Sequence, residues 1–133
     1  MLLGRGDGKF SGQQTFGAGD GPSSITTADF NGDGLADLAT TNVCSDDISV
    51  LLGNGDGTFA DPQFFAVGDA PNSVATADFN GDGLADLATA NTSADNVSIL
   101  LGNGDGTFAT HQTFSADNCP VSVSTGDLSL IHI

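Results

Sequence analysis

Two nine-residue segments hold the side chains of this sequence best placed to do chemistry. Asp29-Phe30-Asn31-Gly32-Asp33-Gly34-Leu35-Ala36-Asp37 reads D-x-N-x-D-G-x-x-D, and Asp78 to Asp86 repeats it residue for residue. Oxygen-bearing side chains stand at the first, third, fifth and ninth positions: Asp29, Asn31, Asp33 and Asp37, then Asp78, Asn80, Asp82 and Asp86. Glycine at the sixth position permits a sharp reversal, so Leu35 or Leu84 at the seventh can add a backbone carbonyl. Hard oxygen donors in that number suit Ca²⁺, whereas Mg²⁺ demands tight octahedral geometry and keeps its waters. Three carboxylates about 5 Å apart repel by about 3 kcal/mol per pair at an effective dielectric near 20. The sum is comparable with the whole stability of a small domain, and a divalent cation reverses its sign. The competing reading is a decorated turn, in which Asp and Asn cap backbone N–H groups without a metal. An EF-hand is excluded, because its twelfth position needs a bidentate Glu and carries Thr40 or Thr89 here.

Other chemical signals are weaker. Arg5-Gly6-Asp7 spells RGD but lies in register with Asn54-Gly55-Asp56 and Asn103-Gly104-Asp105, so it reads as one hairpin turn with a substitution. The GNGDG turns lack a P-loop lysine and read as turn chemistry. Cys44 falls between a second and third strand and Cys119 in a connection between repeats, a spacing that leaves them unpaired. His111 and His132 stand near neither each other nor a cysteine in the repeat frame, so zinc is unsupported. Asn91-Thr92-Ser93 and Asn96-Val97-Ser98 fit the glycosylation sequon, which matters in a eukaryotic secretory host. No nucleophile–base pair stands out, and the chain is expected not to be an enzyme.

The elements that must position the Asp loops follow from a repeat of 49 residues. Leu51–Ala60 recurs unchanged at Leu100–Ala109, and Thr27–Thr40 at Thr76–Thr89. Leu2–Phe10 precedes Leu51 by the same step, as Pro22 precedes Pro71 and Pro120. One unit reads as four short strands: Ser24–Ala28, Leu38–Thr41, Asp47–Leu52 and a stretch around Gln63–Val67, with Asn-Gly and Asp-Gly marking turns. Four strands in just under 50 residues match the blade of a β-propeller. All 17 acidic residues are Asp, Lys9 and Arg5 are the only bases, and 19 residues are Gly, a composition that excludes an all-α fold. The net charge of −15 opposes nucleic acid and anionic membranes. No apolar run is long enough to span a bilayer, and Met1–Arg5 does not read as a signal peptide.

The run DFNGDGLADL, then SVLLGNGDGTF, then a Pro-Ser/Asn-Ser-Val approach to the next DF resembles FG-GAP (VCBS-type) repeats, those of integrin α-chain propellers and many secreted bacterial proteins. The resemblance covers residues 2–127. It implies an all-β fold of four-stranded antiparallel propeller blades, about 2.7 repeats, which is an incomplete propeller. Residues 1–17 would be the C-terminal part of a blade, 18–66 and 67–115 complete blades with calcium loops, and 116–133 the start of another. Leu128–Ile133 depart from the pattern, so Asp127 is expected to lack partners. By the resemblance two Ca²⁺ ions are expected, held by Asp29, Asn31, Asp33, Leu35 and Asp37, and by Asp78, Asn80, Asp82, Leu84 and Asp86. It further implies a non-catalytic, extracellular or cell-surface module for adhesion or for binding a protein or carbohydrate ligand. The partner face would lie opposite the calcium loops, at Asn42–Asp46, Asn91–Asn96, Gly19–Pro22, Gly68–Pro71 and Asn118–Pro120. Alternatives are an accessory domain of a secreted hydrolase or lyase, or a propeller lectin, the latter disfavoured by the absence of Trp and Tyr. The open blade faces would be covered by further blades of a longer chain, or by self-association head to tail.

Overall fold

The computed structural model describes residues 1–126. Among these described residues eight strands follow one another without a helix: β1 (Pro22–Ala28), β2 (Asp37–Asn42), β3 (Asp47–Leu51), β4 (Gln63–Ala66), β5 (Pro71–Ala77), β6 (Asp86–Asn91), β7 (Asn96–Leu100) and β8 (Gln112–Ser115). They form two four-stranded meanders, β1-β2-β3-β4 and β5-β6-β7-β8, each antiparallel throughout. The registers of the two sheets are copies offset by 49: Ile25 pairs with Thr40 as Val74 pairs with Thr89, and Thr40 pairs with Ser49 as Thr89 pairs with Ser98. These are propeller-like blades that do not close into a ring.

The blades stack with β5 against β1 and β2. The middle strands are buried on both faces, which is why DISVL and DLATTN do not alternate simply between apolar and polar residues. Ile48, Val50, Ala39, Val74, Leu87 and Leu100 form the shared core. Polar residues buried among them hydrogen-bond within the blade, although Asn42 Oδ1 has no partner among the described residues. The Asn42 amide donates to Asp47 Oδ1 and to Ser49 Oγ, both at 2.7 Å, and Ser49 Oγ accepts from Gly19 N at 2.9 Å. Asn91, Asn96, Ser98 and Gly68 repeat the arrangement. The abundance of Ser and Thr on these strands, read from the sequence as β-propensity, therefore also supplies hydrogen bonds that a doubly covered sheet requires.

The turns are as the sequence suggests. Gly4 bridges Phe10, Gly53 bridges Phe59 and Gly102 bridges Phe108, so Arg5-Gly6-Asp7 is the first of three equivalent hairpin turns. Two expectations need amendment. β2 begins at Asp37, which pairs with Ala28; the ninth loop position is thus a strand residue whose backbone is already fixed. The first strands begin at Pro22 and Pro71, ahead of the expected start, and accommodate a register shift just after each proline. One contact recurs past β8, where the described residues form no strand: Val123 N donates to Ser73 Oγ at 3.2 Å, the counterpart of Val74 N on Ser24 Oγ at 3.3 Å. The expected loss of partners at Asp127 lies outside the described residues.

Candidate functional site

Each Asp loop is the connection of a blade's first hairpin, β1–β2 or β5–β6. Gly32 and Gly34 adopt φ of 75° and 82°, and Gly81 and Gly83 follow at 78° and 84°. This left-handed backbone turns a row of N–H groups inward. Asp29 receives them: its Oδ1 accepts from Gly32 N at 2.7 Å and Asp33 N at 3.2 Å, and its Oδ2 from Gly34 N at 2.9 Å. Asn31 Oδ1 accepts from Asp33 N at 3.1 Å, while the Asn31 amide nitrogen donates to Asp33 Oδ2 at 2.8 Å. Asp33 Oδ1 accepts from Leu35 N at 2.8 Å. Asp29, Asn31 and Asp33 are thus brought together around the Asp33 amide on the exposed side of the loop. Asp78, Asn80 and Asp82 reproduce every one of these bonds within 0.1 Å. The Gly83 N–H, followed by those of Gly81, Asp82 and Asn80, holds the Asp78 carboxyl below its ordinary value of 3.8 despite some opposing desolvation.

Asp37 and Asp86 behave differently. Both are completely buried. Asp37 Oδ2 accepts from Phe30 N and Oδ1 from Gly53 N, each at 2.8 Å, and Asp86 does the same with Phe79 N and Gly102 N. The ninth loop residue therefore ties the loop to the turn that follows the third strand. That second task was not anticipated from sequence, although Asp-to-Gly spacing is identical in both repeats. Gly53 and Gly102 are required there because a Cβ would collide with the carbonyl oxygen of Ala36 or Ala85. The first loop is tied once more, across blades: Gly106 N donates to Phe30 O at 3.0 Å, and the Phe30 ring meets Phe108 edge to face at 5.5 Å.

Among the described residues no three His, Cys, Asp or Glu side chains are grouped as a metal centre by themselves. Asp29, Asn31 and Asp33 instead bring carboxylates together with an Asn amide oxygen, a mixed set of oxygens of the kind Ca²⁺ accepts. Asp29 Oδ2, Asp33 Oδ1 and Asn31 Oδ1 each accept one N–H and keep a second lone pair, whereas Asp29 Oδ1 accepts two. Asp29, Asn31 and Asp33 fit such an ion, offering oxygens from the exposed side, while both Asp37 oxygens are engaged by Phe30 N and Gly53 N. The remaining candidates are dispersed. Cys44 and Cys119 are both free and exposed, attached to different blades through Cys44 N on Asp20 O and Cys119 N on Asp95 Oδ1. The turns and connections at the opposite end interlock as a layer, with Val43 N on Gly21 O, Thr92 N on Ala70 O and Ala70 N on Asp46 Oδ1.

Comparison with curated proteins gives no match. The family model described as FG-GAP-like repeat matches residues 1–40, 30–89 and 78–129, three overlapping stretches that take in both Asp loops, both sheets and the three glycine turns. With the 49-residue register carried through strands, loops and turns, the chain belongs to the FG-GAP-like repeat family.

Proposed function

We propose that this chain is a calcium-stabilised, non-catalytic repeat module of a β-propeller, serving adhesion or ligand binding outside the cell. The observation that carries the reading is the doubled loop. Two copies gather the same oxygen set with the same backbone scaffold on the exposed side of the loop. When bound, Ca²⁺ would neutralise each Asp cluster and lock the first hairpin of the blade. The chain's own part is to aim the oxygens through the glycine N–H groups and to anchor the loop floor through Asp37 or Asp86. A loop so fixed makes metal binding a contribution to folding free energy. Millimolar external calcium fills even weak sites, which agrees with a family typical of extracellular proteins.

The interlocked end opposite the loops, with Val43, Ala70, Asn72, Thr92 and Ser93 around a shallow depression, is the surface offered to a protein or carbohydrate ligand. The deciding experiment is a calcium titration by calorimetry beside thermal melts in EDTA and in millimolar calcium. Two binding events per chain and an upward shift of the melt are expected. No heat and identical melts would reduce both loops to decorated turns.

A further inference from the structure

Among the described residues, the contact by which blade two covers the first Asp loop has no counterpart over the second. Phe30 is 3% exposed because the turn Gly102–Phe108 lies over it, and Phe108 is itself 8% exposed between Phe30 and Phe65. Advancing by 49 residues, the corresponding receivers are Phe79 and Phe114, which are 42% and 55% exposed. A turn of the LLGxGDGxF type is what covers the equivalent receivers in the first blade. Such a turn stands with exposed apolar side chains at Leu2–Phe10. In Leu2–Phe10, Phe10 occupies the register of Phe108 and is 62% exposed, and Leu2 occupies that of the buried Leu100 and is 53% exposed.

Charge points to the same occupant. Arg5 and Lys9, the only Arg and Lys of the protein, both stand in this turn, where the third turn has Asn103 and Thr107. In the contact already formed, that stretch passes directly over the Asp loop, with the Gly104 carbonyl oxygen 3.8 Å from where a Gly32 Cβ would stand. The equivalent placement sets Arg5 and Lys9 beside Asp78 and Asp82, both exposed.

We infer that the face around Phe79 and Phe114 receives the Leu2–Phe10 turn of a second copy of this chain, head to tail. Phe10 enters between Phe79 and Phe114, Gly8 N donates to Phe79 O as Gly106 N does to Phe30 O, and the two basic side chains meet the acidic loop. The contact is heterologous, since donor and receiver are different patches. It does not rest on calcium binding.

The test is sedimentation velocity on the full chain across a wide concentration range, in EDTA and again with calcium, with circular dichroism confirming that each variant is folded. Wild type is expected to associate reversibly. Phe10→Ala and Phe79→Ala, both at exposed side chains, are each expected to weaken association about tenfold or more, and Arg5→Glu/Lys9→Glu to weaken it as well. Because a heterologous junction needs one turn and one receiving face, an equimolar mixture of Phe10→Ala and Phe79→Ala regains a heterodimer. A wild type that stays monomeric throughout, association indifferent to these variants, or a folded mixture that stays monomeric each overturns the inference. A flat calcium titration leaves it standing, so the two readings fail separately.

Discussion

Replacing Asp37 by Ala separates the structural role of the ninth loop residue from any role in holding a metal. The side chain is wholly buried and accepts two buried N–H groups, from Phe30 and from Gly53, each at 2.8 Å. Alanine leaves both donors without a partner where water does not reach. Each unsatisfied buried group costs about 1–3 kcal/mol, so the pair costs about 2–6 kcal/mol. That is a large share of the roughly 5–15 kcal/mol that holds a domain together. Asp37→Asn keeps one acceptor but turns an NH₂ towards the other N–H, so about half of that loss is expected. Asp29→Ala removes more bonds, three of them, but all lie on the exposed side where water replaces the carboxylate. Urea denaturation in EDTA, followed by circular dichroism, therefore ranks Asp37→Ala well below Asp37→Asn and Asp29→Ala in stability. Adding calcium widens the gap between wild type and all three. If Asp37→Ala in EDTA costs no more than Asp29→Ala, the residue is not the tie between loop and turn, and the reasoning from its buried bonds is wrong.

Three further outcomes are expected. Calcium at about one hundred times its dissociation constant stabilises the fold by about 2.7 kcal/mol per site, seen as a melt that rises with calcium concentration and is set back by Asp33→Ala or Asp82→Ala. Gly34→Ala and Gly83→Ala force a Cβ into φ near 80°; each costs about 1–2 kcal/mol in a denaturant midpoint, although neither glycine has an atom within reach for the new methyl to strike. Asp56 and Asp105 are held below the ordinary value of 3.8, first by the hydroxyls of Thr58 and Thr107 and then by their N–H groups. A folded-state value lower than the unfolded one means the unfolded chain takes up protons first as acid is added. This stabilisation is complete above pH about 4 and is lost as pH falls through the lower folded value. Thr58→Ala/Thr107→Ala is expected to flatten that acid-side loss, measured as urea midpoints at successive pH values.

Much of this architecture is legible in the sequence because each repeat writes it twice. The strand run ending at Ala28, the reversal at Gly34 and the hairpin turn at Gly53–Gly57 are local events, set by β-branched residues and by backbone that only glycine adopts readily. The oxygen set of Asp29, Asn31 and Asp33 is local too, since alternate residues of one tight loop must face a common centre. What the sequence could not display is which faces meet. Spacing alone does not reveal that Gly53, sixteen residues beyond Asp37, delivers its N–H to the Asp37 carboxylate.

The same distinction explains why Phe30 and Phe79, identical in type and in local sequence, have different fates. The run around them, Thr27–Thr40 and Thr76–Thr89, is identical; the difference is a turn 76 residues beyond Phe30, whose Gly106 N–H and Phe108 ring close over it. Exposure at fixed repeat position is thus a measure of a missing neighbour rather than of local preference. This also bears on stability. Phe30→Ala empties a packed site and is expected to cost about 3–5 kcal/mol, within the range for buried aromatic truncations. Phe79→Ala, half in water, costs the isolated chain far less. If association covers Phe79 as proposed, the two costs converge as protein concentration rises, because the second site then becomes as buried as the first. Paired denaturation curves at low and high concentration read that convergence directly, and parallel curves that never approach one another would refute it.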